Sequence, residues 1–254
     1  MSFFIYEGRQ VYYEERGKGR PLLLLHGNTA SSRMLDRAAE RYSEHFRTIQ
    51  IDFLGHGRSD RLDTFPADLW WYEALQVIAF LGEKGYTDTD IIGCSGGALV
   101  ALGVASVSPD IVGKVIADSF YGTASDEAFV SALLKDRAFA KSNEGARSFY
   151  AYMHGDDWEQ IVDNDTDAIV RHQREIGSFF HDPLEKVTAQ VLLTGSRGDK
   201  FMYGISDDHY ERVYGDICKK IKNCSIHLFP TGDHPAMMSC FDEFYELSMQ
   251  FLRG

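Results

Sequence analysis

Basic residues are in deficit, with 26 Lys plus Arg against 38 Asp plus Glu and a formal net charge of −12. That balance repels phosphates and anionic lipid headgroups, and it argues against a nucleic-acid or membrane-surface role unless a local basic patch prevails. The densest basic stretch, Lys219-Lys220-Ile221-Lys222, is short and reads as a solvated helix face. Long apolar runs are missing too: nothing approaches the roughly 18 consecutive apolar residues of a membrane span. The first fifteen residues show neither the basic start nor the apolar run of a secretory signal, so the expectation is a soluble cytoplasmic protein. Cysteine is scarce. Cys94, Cys218, Cys224 and Cys240 form no C-x-x-C pair and no zinc spacing, so they read as buried or incidental thiols and predict no metal site. Internal repeats and low-complexity tracts are absent.

What is present is ordinary globular composition, 44% hydrophobic and 25% charged, and 254 residues suffice for one large α/β core. Phe3-Phe4-Ile5-Tyr6 and Val11-Tyr12-Tyr13 flank Gly8-Arg9, a hairpin signal. Then short apolar runs recur, each ending in a turn: Leu22–Leu25 at His26-Gly27, Thr48–Ile51 at Asp52, Asp90–Ile92 at Gly93, Val112–Ala117 at Asp118, Val191–Leu193 at Thr194-Gly195, and Ser225–Phe229 at Pro230. Continuous apolar strands are buried on both faces, which predicts a parallel sheet covered by helices. Helical patterns alternate with them at Leu69–Leu81, stopped by Gly85, at Ala98–Val107, and from Phe241 onward. The fold class is therefore a doubly wound α/β sheet, in which ligands bind beyond the carboxyl ends of the strands.

One stretch breaks the alternation. Between Gly122 and Lys186 there is no convincing strand, but at least two amphipathic helical patterns, one opened by Ser125-Asp126-Glu127 and one by Asp165-Thr166-Asp167. The expected organisation is a core of residues 1–121 and 187–254, with residues 122–186 as a helical cap over the strand ends.

Gly93-Cys94-Ser95-Gly96-Gly97 matches G-x-S-x-G between an apolar strand and an apolar helix, the context a nucleophilic serine needs. A phosphate loop is the competing reading, but no G-x-x-x-x-G-K is present. A serine hydroxyl needs a base within hydrogen-bond reach. Of nine histidines, His234 is favoured, because Pro230-Thr231-Gly232-Asp233-His234 follows the last strand and reaches the same sheet edge. His26 and His56 also follow strands, but they sit in glycine-flanked loops where fixing backbone explains them equally well; His45 and His227 look like surface or strand positions. The imidazole needs an orienting carboxylate: Asp199 in Gly195-Ser196-Arg197-Gly198-Asp199 is favoured by position, with Asp118 as the alternative. The backbone amides of Gly96 and Asn28 are the candidate oxyanion donors.

Taken together, His26-Gly27-Asn28, the stretch Asp52-Phe53-Leu54-Gly55-His56-Gly57-Arg58-Ser59-Asp60, the Ser95 turn, Asp199 and His234 resemble the α/β-hydrolase superfamily over nearly the whole chain, in its usual order of serine, aspartate, histidine. The resemblance implies a mostly parallel eight-stranded sheet with helices on both faces, a lid inserted after the sixth strand, and no cofactor. It also implies that the Asp52–Asp60 stretch is structural. His26-Gly27-Asn28 is similar to haloalkane dehalogenases, yet those use an aspartate where this chain has Ser95, and epoxide hydrolases are disfavoured on the same ground. One glycine after His26 separates the chain from the H-G-G-G lipases. Cys94 is expected to point inward. The reading that follows is a serine hydrolase cleaving a small carboxylic ester or related acyl bond, in an apolar pocket supplied from Phe129, Phe139, Phe149, Tyr150, Tyr152, Trp158, Phe179 and Phe180. Arg33, Arg147, Arg171 and Arg174 are candidates for binding a carboxylate. A non-hydrolytic enzyme on the same scaffold or a small-molecule receptor are the other classes; an intact Ser–Asp–His set disfavours the receptor.

Overall fold

In the computed structural model, which describes residues 2–254, the chain opens with β1 (Ser2–Tyr6), β2 (Arg9–Gly17) and β3 (Pro21–Leu25). There follow α1 (Asp36–Tyr42), β4 (Arg47–Ile51), α2 (Leu69–Lys84), β5 (Thr89–Cys94), α3 (Gly96–Val107) and β6 (Val112–Asp118). Three helices come next, α4 (Glu127–Ser142), α5 (Glu144–His154) and α6 (Trp158–Glu175). The chain then runs β7 (Gln190–Ser196), α7 (Lys200–Tyr203), α8 (His209–Cys218), β8 (Cys224–Phe229), α9 (Ala236–Ser239) and α10 (Phe241–Arg253). The strands form one eight-stranded sheet in the order β1-β2-β4-β3-β5-β6-β7-β8, with β2 antiparallel to both its neighbours and every pairing from β4 to β8 parallel.

Alternation along the central strands builds two cores. Leu22 and Leu24 face one side with Ala38, Ala39 and Tyr42 of α1 and Phe244 and Leu252 of α10. Leu23 and Leu25 face the other, with Val77 and Phe80 of α2 and Val100 and Val104 of α3. Successive strand residues point to opposite faces, so a run of four leucines can only be satisfied by helices on both sides. The α2 helix stops where the sequence says, with Gly85 as a left-handed C-cap at φ 66°.

Four expectations need correction. β8 is an edge strand pairing with β7, and Ile226 is 40% exposed, so this last run is not buried on both faces. Lys219–Lys222 is a turn after α8, not a helix face; Ile221 is buried in it while the lysines meet solvent. That turn brings Cys218 and Cys224 to a Cα separation of 5.1 Å, and they form a disulfide rather than two thiols; such pairs persist in oxidising surroundings. Finally, Asp165 does not start a helix. It sits inside α6, which begins at Trp158, and it is fully buried. Cys94 points inward, as expected, and Cys240 is a free thiol. Among the described residues no helix is long and apolar enough to cross a membrane.

Candidate active site

Ser95 caps the N-terminus of α3 immediately after β5, at φ 54° and ψ −123°. The turn is tight enough that a Cβ on Gly93 would lie 2.1 Å from the Gly97 carbonyl oxygen, so the flanking glycines are a steric requirement. The helix dipole aims its positive end at the serine. Cys94, next to it, is buried; burial pushes its thiol up, and Sγ lies 3.8 Å from the Leu25 carbonyl oxygen. It is packing, not a second nucleophile.

The structure brings Ser95, His234 and Asp199 together. The Ser95 hydroxyl lies 3.0 Å from His234 Nε2, and His234 Nδ1 lies 2.8 Å from Asp199 Oδ2. Asp199 is fully buried and saturated: the Phe201 and Met202 amides donate to Oδ1, and the Tyr210 hydroxyl donates to Oδ2 at 2.6 Å. Burial would raise this carboxyl, but His234 and then the Tyr210 hydroxyl and Met202 amide hold it below its ordinary value. Burial would lower the His234 imidazole; the hydrogen bond and charge of Asp199, with Asp118 and Asp136 behind, outweigh it and keep it above 6.5.

Asp118 does something else. Its carboxylate accepts from Thr194 Oγ1 and from the Met237 amide, each at 2.8 Å, while Ser119 Oγ accepts from the Ala236 amide. It pins the segment just after His234 to the end of β6, and burial lifts it to about 6. Two other histidines hold backbone in place. His26 accepts the Phe53 amide at Nε2, and burial next to His56 lowers it to about 3. His154 accepts the Gly57 amide and donates to the Thr29 carbonyl. Asp52 accepts from the Ser32 and Arg58 amides, tying the Asp52–Asp60 stretch to the chain after β3.

Asn28 lies against the serine turn. A Cβ on Gly96 would come 2.0 Å from Asn28 Oδ1. Both ends of the Asn28 side-chain amide are engaged, Oδ1 accepting from Trp70 Nε1 at 3.1 Å and Nδ2 donating to Asp165 Oδ2 at 2.9 Å. The backbone amides of Asn28 and Gly96 have no protein acceptor among the described residues, so both are available to an incoming oxygen.

These groups open into a cavity of about 1070 Å³. Of the eight aromatics singled out in the sequence, Phe129, Phe139, Phe149 and Tyr150 line it. Trp158 stacks on Tyr150, Phe179 packs edge-on against Trp70, Phe180 packs against the main core, and Tyr152 is exposed. None of Arg33, Arg147, Arg171 and Arg174 reaches the cavity, whereas Arg137 does. Sequence reading misses Arg137, Tyr210 and Trp70 and takes Asp165 for a helix start; the partners of all four are far away in the chain or on another element.

Residues 22–247 match the alpha/beta hydrolase family. The human protein named serine hydrolase BPHL is 24% identical over 258 residues, covering 97% of this chain and 84% of that one. The 2-(acetamidomethylene)succinate hydrolase of Mesorhizobium japonicum is 30% identical over 142 residues, 56% of this chain and 50% of its own. Among solved structures, the meta-cleavage product hydrolase CumD of Pseudomonas fluorescens IP01 superposes with a TM-score of 0.77 at 18% identity, over 100% of this chain and 97% of that one.

Proposed function

Given that the chain belongs to the alpha/beta hydrolase family, we propose that it is a serine hydrolase cleaving a carboxylic ester or related acyl bond through an acyl-enzyme on Ser95. The observation that carries this reading is the continuous chain from the Ser95 hydroxyl through His234 to Asp199, at 3.0 and 2.8 Å. In this reading Ser95 Oγ attacks the acyl carbon while His234 Nε2 takes its proton, and Asp199 steadies the imidazolium. The carbonyl oxygen becomes an oxyanion held by the Asn28 and Gly96 amides. His234 returns the proton to the departing alkoxide. A water molecule, deprotonated in turn by His234, attacks the acyl carbon, and Ser95 is restored as the acid leaves. The reaction calls for water and no cofactor.

The helical insertion, residues 122–186, acts as the cap, and the aromatics it sends into the cavity suit a small apolar acyl or alkyl group. Relatives named as a serine hydrolase and as a succinate-derivative hydrolase support hydrolysis; at these identities neither brings its substrate with it.

A fluorophosphonate probe tests the reading directly. It labels Ser95 in the wild-type protein, and Ser95→Ala abolishes both labelling and turnover of a p-nitrophenyl ester panel. Folded wild-type protein that takes no label and cleaves no ester refutes it.

A further inference from the structure

The four residues Asn28–Ser31, which carry one of the two oxyanion amides, are gripped by all three helices of the insertion. From α4, Arg137 Nη1 donates to Thr29 Oγ1 at 2.8 Å. From α5, His154 Nε2 donates to the Thr29 carbonyl at 2.9 Å, and the Met153 carbonyl accepts from Ser31 Oγ at 3.1 Å. From α6, Asp165 Oδ2 accepts from Asn28 Nδ2 at 2.9 Å. The grips are themselves joined, since Arg137 Nη2 lies 3.5 Å from Asp165 Oδ1 and Arg137 Nη1 also donates to the Tyr150 hydroxyl at 2.9 Å.

The held conformation is a strained one. Thr29 sits at φ 54°, in the left-handed region that a β-branched residue avoids, and such a backbone persists only where its surroundings over-determine it. Directional hydrogen bonds from the insertion contribute that constraint here. Asp165 is fully buried; burial would raise its carboxyl, but the neighbouring His56 and Arg137 and the Asn28 amide hold it below its ordinary value. A charged acceptor makes the bond from Asn28 about twice as strong as a neutral one.

We infer that Asp165 and Arg137 are positioning residues, a clamp borne by the insertion that sets the aim of the Asn28 amide at the oxygen bound beside Ser95. The inference rests on the acyl-transfer reading for its catalytic consequence. Because Trp70 and Asp165 occupy both ends of the Asn28 side chain, the backbone N–H is the group left to face the substrate, and a slack clamp misdirects that N–H without removing it.

Two variants separate this from a merely structural role. Asp165→Asn keeps the shape and removes the charge; Thr29→Val removes the acceptor for Arg137 together with the bond from Thr29 Oγ1 to the Asn28 carbonyl, and leaves Asp165 and its bond to Asn28 in place. With turnover expressed per serine titrated by fluorophosphonate, kcat falls about tenfold in each, less than the loss of a whole oxyanion donor, while KM stays within about twofold. Affinity for a boronic acid, which mimics the tetrahedral state, falls by the same factor as kcat. Hydrogen exchange of the peptide spanning residues 26–34 speeds up, and the rest of the sheet is unchanged. Unchanged exchange together with unchanged kcat per titrated serine overturns the clamp. If the wild-type protein takes no label while exchange still rises in the variants, it is the acyl-transfer reading that has failed and not the grip on the loop.

Discussion

Different forces hold the sheet together and hold the insertion to the segment after β3. In the sheet, Leu22, Leu23, Leu24 and Leu25 are all fully buried and pack against helices on two sides. The face that the insertion turns toward the segment after β3 carries Arg137, His154 and Asp165, which meet Asn28 and Thr29 through hydrogen bonds. Apolar packing is non-directional and tolerates swaps of similar volume. Buried charges and hydrogen bonds are directional, and they are costly when one partner is missing. The sheet therefore gives the Ser95–His234–Asp199 chain a stable platform, and the insertion gives the neighbouring amide its aim.

Three substitutions sharpen that contrast. Asp199→Asn strikes the platform's chemistry: steady-state kinetics with an activated ester should show kcat/KM lower by about 10³- to 10⁴-fold. The pH profile carries the same information. His234 stands above 6.5 and must be neutral to act as a base, so wild-type kcat/KM rises with pH through a value above 6.5. Without the carboxylate the imidazole loses the partner that raised it, and the acid limb of the residual activity moves to lower pH. Leu24→Ala instead opens a cavity in the sheet and costs about 2–5 kcal/mol of stability; denaturant unfolding should show it, with kcat of the folded fraction preserved. Smallest is Val162→Ala, in the cluster that the insertion builds from Ala140, Tyr150, Trp158 and Val162. It should cost about 1–3 kcal/mol locally. Activity should then be lost on warming before the sheet's unfolding transition, whereas in Leu24→Ala the two losses coincide. Coincident losses in both variants would mean that the two regions melt as one.

The same contrast explains what the sequence made legible. Leu22–Leu25 and Gly93–Gly97 are read easily because their meaning is local: an apolar run needs two covered faces, and a serine between glycines before a helix needs a tight turn. Asp199 was separable from Asp118 only by position, and the structure shows why both are there, one on His234 and the other behind it on Met237. Asp165 misled. An Asp-Thr-Asp triplet is what a helix start looks like, yet Asp165 lies within α6 and its partner Asn28 is 137 residues earlier in the chain. Arg137 was overlooked for the same reason, since nothing beside it in the chain marks it off from a surface arginine. The edge position of β8 was also hidden, because an edge strand is defined by what does not pair with it.

Ser95 and His234 share a hydrogen bond across 139 positions of the chain, and the segment behind His234 is fastened by Asp118 and Ser119 at the end of the sixth strand. During synthesis the serine turn leaves the ribosome long before its base exists. Under the proposed chemistry the nascent chain is thus inert toward esters until the segment carrying His234 has been made, and the first hydrolytic event reports that the serine turn and that segment have found each other.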